Sequence, residues 1–109
     1  MINLTERVLK IVLDTAEHHP YHGEWKKLAE KLAEVLGAEL EVKYEDYVYA
    51  IEHGFTDELG MAGLPQLMAE LESGRVVPLL SDIPLNERLQ PDFDKALELA
   101  LEKLGRSRA

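Results

Sequence analysis

The apolar positions in the first half of the chain fall into three patterns. Residues 7 to 14, Arg-Val-Leu-Lys-Ile-Val-Leu-Asp, are a short branched-aliphatic run, which predicts a strand buried on both faces. The same run also fits a helix, because Asn3 and Glu6 have capping-box spacing and Leu4, Val8, Ile11 and Thr15 would share a helical face. Its shortness and its Val and Ile content favour the strand. Trp25, Leu28, Ala29, Leu32, Val35 and Leu36 then recur at helical spacing with Lys and Glu between them, and Gly37 stands where a C-cap glycine belongs. Residues 38 to 44 alternate, with Leu40, Val42 and Tyr44 on one side and Glu39, Glu41 and Lys43 on the other, the pattern of a half-exposed strand.

The second half is more heavily punctuated. Residues 46 to 53 read as a short helix, and 57 to 63 as a glycine-marked approach to Leu64-Pro65. Residues 66 to 71 and 75 to 80 predict two strands joined through Glu72-Ser73-Gly74, a tight hairpin connection. Pro78 has no N–H to give a ladder, so the second of these strands belongs at a sheet edge or a bulge. A last helix is expected over 92 to 104, with Pro91 at its start, Asp92 and Asp94 in its first turn and Gly105 as its stop. Its inward positions are Phe93, Leu97, Ala100, Leu101 and Leu104. No repeat or low-complexity linker interrupts the chain, and 109 residues suit one domain, residues 1 to 109, with a modest core spanning 7 to 105.

Composition narrows the partners. With 46% hydrophobic and 30% charged residues the chain reads as globular, and its apolar runs are far too short for a bilayer, so no membrane partner is expected. Twelve basic against twenty-one acidic residues give a net charge of -9. The excess lies between residues 39 and 58, where Glu39, Glu41, Glu45, Asp46, Glu52, Asp57 and Glu58 face only Lys43. By default this is a solvated surface, and its sign repels phosphate backbones, so nucleic acid is not an expected partner. Arg106 and Arg108 read as a frayed, solvated end. Met1 to Glu6 lacks the basic patch and apolar stretch of a signal peptide, which points to a cytoplasmic protein. Few Asn or Gln, no Cys and abundant Glu and Lys follow the drift of thermophile proteins.

The absence of cysteine removes disulfides, thiolate nucleophiles and sulfur-ligated metals. Three of the four histidines, His18, His19 and His22, share one loop with Glu17 and Glu24 beside them, and His53 is the fourth. Imidazole and carboxylate suit a zinc-type ion, which His19 and His22 would hold with Glu17 or His53. The positive end of a helix starting there opposes a cation unless an anionic ligand such as Glu17 or Glu24 offsets it. As polar loop residues that hydrogen-bond or meet solvent, the histidines need no metal, and this is the reading the sequence favours. Trp25 and Tyr21 either wall a groove or belong to the core and its edge. Tyr44, Tyr47 and Tyr49 either form a binding face or simply occupy strand and helix positions. No phosphate loop, nucleotide fingerprint, nucleophile elbow or zinc-protease motif is present, so the sequence implies no cofactor and defines no reaction.

His19-Pro20-Tyr21-His22 has the spacing of the Cys-x-x-Cys signature of glutaredoxins with both cysteines replaced. The element order of strand, loop, helix, strand, helix, proline loop, hairpin and helix resembles the thioredoxin-like superfamily. Gly63-Leu64-Pro65-Gln66-Leu67 is similar to its cis-proline segment, Ser73-Gly74 to its hairpin turn, and Pro78 falls in what would be the edge strand. The resemblance implies an α/β thioredoxin-like three-layer sandwich on a four-stranded mixed sheet, ordered β-α-β-α-β-β-α, with Leu64-Pro65 cis. It also implies a binding groove formed by His19, Pro20, Tyr21, His22, Leu64, Pro65 and Gln66 that takes a peptide strand through backbone hydrogen bonds. Dithiol oxidoreduction is excluded without sulfur. The expected function is therefore a non-redox binding or protein-interaction module with a peptide or protein partner. The alternatives are the zinc-type site and a domain that assembles with itself, as a homo-oligomer, through a sheet edge or helix face.

Overall fold

The computed structural model describes residues 6 to 106. Its elements are β1 (Val8–Thr15), α1 (His22–Leu36), β2 (Glu39–Tyr44), α2 (Tyr47–His53), β3 (Gln66–Leu71), β4 (Val76–Leu80) and α3 (Phe93–Lys103). The strands form one sheet in the order β2-β1-β3-β4, with β1 parallel to β2 and antiparallel to β3, and β3 antiparallel to β4. The described residues thus form an α/β fold with a four-stranded mixed sheet and three helices. Among the described residues, no helix is long and apolar enough to cross a membrane.

The run at residues 7 to 14 is strand because β1 lies inside the sheet with both faces covered, so Ile11, Val12 and Leu13 are all fully buried and no alternation remains. A register shift between Val8 and Lys10 explains why the run also fitted a helix. The extra residue puts Val8 and Ile11, three apart, into the same core cluster, a helix-like spacing made by an irregular strand. Asn3 and Leu4, which the helical alternative needs, lie outside the described residues.

Trp25, Leu28, Ala29 and Leu32 of α1 join Ala96, Leu97, Ala100 and Leu101 of α3 against Ile11, Leu13, Leu67 and Leu79 of the sheet. On the opposite face lie Asp14 and Lys43, which contact Asp46 and Tyr49 of the short α2 segment. α1 closes as its sequence predicts: Gly37 takes φ +64°, and Ala38 N–H returns to the Ala33 carbonyl at 2.9 Å. At the start of α3, Asp92 is the cap rather than a first-turn residue, its Oδ1 accepting the Lys95 N–H at 3.0 Å. Pro78 occupies the edge strand β4, beside a register shift in the β3–β4 ladder. Arg106 departs from the expected solvated end: its guanidinium donates to the Leu104 and Glu6 carbonyls, anchoring the chain after α3. Arg108 lies outside the described residues.

Candidate functional site

Antiparallel pairing of β1 with β3 sets Asp14 opposite Gln66. The loop leaving β1 and the loop entering β3 are therefore brought to the same end of the sheet. The first carries His19 and Tyr21, the second Leu64 and Pro65, and the Leu64–Pro65 bond is cis. Between them opens a cleft of about 680 Å³, within the size range of ligand pockets. Trp25, only 3% exposed, lines it from α1, so this tryptophan belongs to both cleft and core.

The expected groove residues divide. His19, Tyr21, Leu64, Pro65 and Gln66 all line the cleft. Pro20 is exposed and His22 turns away, so neither is among the lining residues. His22 Nδ1 lies 3.0 Å from Thr15 Oγ1 and its ring lies 6.0 Å from that of Tyr44, which ties the start of α1 to the ends of β1 and β2. His19 stays at the mouth of the cleft, where its Nδ1 accepts the Tyr21 N–H at 3.1 Å and so shapes the turn into α1. The Tyr21 ring stands between His19 and Phe93, with centroids 6.3 and 6.4 Å away.

Gln66 is the hub of the opposite wall. Fully buried, it accepts the Phe55 N–H on Oε1 at 2.8 Å, while Nε2 donates to the Phe55 and Gly63 carbonyls, each at 2.9 Å. One side chain thus holds both ends of the segment that runs from α2 to the proline loop. Gly54 makes room for it, since a Cβ there would strike Gln66 Oε1 and approach the Ala50 carbonyl at 2.8 Å. Within the segment, Asp57 Oδ1 accepts the Leu59 and Met61 N–H groups at 2.9 and 3.0 Å, folding the loop onto itself.

The third wall, with Ser81, Asp82, Ile83, Leu85 and Pro91, comes from the connection between β4 and α3 and was not anticipated from the sequence. Asn86 braces it: Oδ1 accepts the Arg88 and Gln90 N–H groups, and a bridge pairs Leu85 with Pro91. The available signal was Ile83 and Leu85, apolar residues in a connection with no strand or helix to bury them; in the structure Leu85 is 58% exposed.

The zinc-type set is not assembled. His19 faces the cleft loop, His22 faces Thr15, and His53 packs on Tyr49 with ring centroids 4.8 Å apart and Nε2 3.7 Å from Glu52. Glu17 and His18 are exposed. Among the described residues, no three His, Asp or Glu side chains are gathered as a metal ion would need.

The acidic stretch is more than a solvated surface. Glu41 pairs with Lys10 at 2.8 Å and with Lys43 at 3.1 Å, and Asp46 caps α2 by accepting the Tyr49 N–H at 3.0 Å. The hydrogen bond from Lys10 holds the Glu41 carboxyl below its ordinary value. Tyr49 lies inward, its ring 4.7 Å from the Lys43 ammonium, and burial pushes its hydroxyl up to about 12. Tyr44 and Tyr47 are about half exposed, so the three tyrosines do not form one face. Comparison of the chain with protein-family models, curated proteins and solved structures gives no match.

Proposed function

We propose that the chain is a thioredoxin-like domain without dithiol chemistry, which binds an extended peptide segment in the cleft between the 17 to 24 loop and the 63 to 66 loop. One observation carries the reading. Leu64 lines the cleft, yet its N–H and C=O make no hydrogen bond to any described residue, although the residues directly after Pro65 enter the sheet. An unpaired backbone donor and acceptor next to a strand's start, in a residue that lines an open cleft, can offer an extended peptide its first two hydrogen bonds. The apolar side chains of Tyr21, Met61, Ile83 and Leu85 supply contact area around them.

The sheet order and the sequence string at the mouth of α1 support the family part of this reading. The absence of cysteine separates it from redox function. A screen of blocked, cysteine-free hexapeptides by fluorescence polarisation tests the binding part. Tyr21→Ser should weaken the captured peptides roughly tenfold, the scale of a lost aromatic contact. Val48→Ser, on the exposed side of α2, should leave them unchanged. The reading fails if no hexapeptide binds, or if Tyr21→Ser binds as tightly as the parent.

A further inference from the structure

We propose that the cleft selects peptides carrying a lysine or arginine over acidic ones, with Asp82 as the residue that pairs with the basic side chain; this rests on the peptide reading above. The charged residues lining the cleft are Asp57 and Asp82, and neither lysine nor arginine is among them. Asp57 is turned to its own loop, with Oδ1 accepting two N–H groups there, and only its other oxygen remains for a ligand. Asp82 is exposed and its carboxylate makes no hydrogen bond or ion pair with any described residue, so it is free to take one from outside.

Its position suits a long basic side chain. A second hollow of about 550 Å³ shares Phe55, Ser81 and Asp82 with the cleft, which places Asp82 where the two join. Lys103 already lines that hollow, its Nζ 4.4 Å from the centroid of the Phe55 ring, so a peptide cation meets Asp82 from the cleft side. A peptide lysine or arginine entering from the cleft can lay its methylene stem on Ile83 and Leu85 and present its charge to Asp82. The net charge of -9 adds a long-range pull on cationic ligands and opposes anionic ones. Phosphate groups and acidic peptides therefore meet a cleft with no lysine or arginine among its described lining residues.

The test is a positional-scanning library of blocked, cysteine-free hexapeptides equilibrated with the full chain in low salt, with the bound pool read by mass spectrometry. Lysine or arginine should be enriched over aspartate and glutamate at one position by roughly fivefold, as expected when an attraction replaces a repulsion at a partly exposed ion pair. Asp82→Asn should abolish that enrichment. Glu30→Gln, the same change in net charge on the exposed side of α1, should retain it. A bound pool with no charge preference, or an acidic one, overturns this proposal and leaves the peptide reading standing. Equal losses in Asp82→Asn and Glu30→Gln also overturn it, by assigning the preference to net charge. An empty bound pool overturns the peptide reading itself and this proposal with it.

Discussion

Asp14 carries its carboxyl where a charge is disfavoured. It is fully buried on β1, with Oδ1 accepting the Asp46 N–H at 3.1 Å and Oδ2 without a partner among the described residues. Burial pushes it from the ordinary 3.8 up to about 6, against the opposing pull of the Asp46 amide and Lys43. Since the folded value lies above the unfolded one, the folded chain keeps the proton where the unfolded chain has already lost it. The stabilising contribution of that proton is complete below about pH 4 and is lost as pH rises through 6. Asp14→Asn retains an oxygen acceptor for Asp46 and cannot ionise. Urea unfolding at steps between about pH 4 and pH 7 should therefore show the variant gaining on the parent by about 2 kcal/mol over that range. A difference that stays constant with pH contradicts this account of Asp14.

At the scale of elements, the segment between α2 and β3 is held as a wall by one buried amide and one missing methyl group. Gly54→Ala would drive a Cβ into Gln66 Oε1, and the resulting displacement should cost about 1–3 kcal/mol in thermal unfolding. Gln66→Leu keeps a comparable volume but leaves the Phe55 N–H and two carbonyls without their partner, a loss of at least about 2 kcal/mol. Amide exchange at Phe55 should rise in both variants, and a protected Phe55 N–H in Gln66→Leu would show that other groups hold the wall. The elements themselves were readable because periodicity and caps are local: Gly37 ends α1, the 66 to 71 strand begins at Gln66, and Pro78 lies at an edge. Asp92 shifted only by one position, from first turn to cap. The amide network of Gln66 was not readable, because its partners lie eleven and three residues away in a loop without periodicity. The dual reading of residues 7 to 14 had a physical origin too, since a bulge in a doubly covered strand erases the alternation that distinguishes strand from helix.

For the whole molecule, sheet topology decides which loops meet. β1 and β3 are antiparallel neighbours, so His19 and Tyr21 face Leu64 and Pro65 across one cleft. The resemblance of the sequence to the thioredoxin-like superfamily anticipated that meeting, yet it could not say how each side chain turns. The resemblance places His22 in the groove, but its ring meets the buried Thr15 hydroxyl 3.0 Å away and is not among the residues that line the cleft. The wall bearing Asp82 and Leu85 depends on an Asn86-centred loop and on its packing beside the proline loop, which no local pattern encodes. The account depends most on the unpaired backbone of Leu64. A nitrogen-15 NMR titration of the full chain with a captured hexapeptide follows that N–H directly. The Leu64 resonance should move downfield and its exchange with solvent should slow on binding, while amides at the outer side of α2 stay in place. A bound peptide that leaves Leu64 unmoved and shifts amides elsewhere would contradict the proposed cleft.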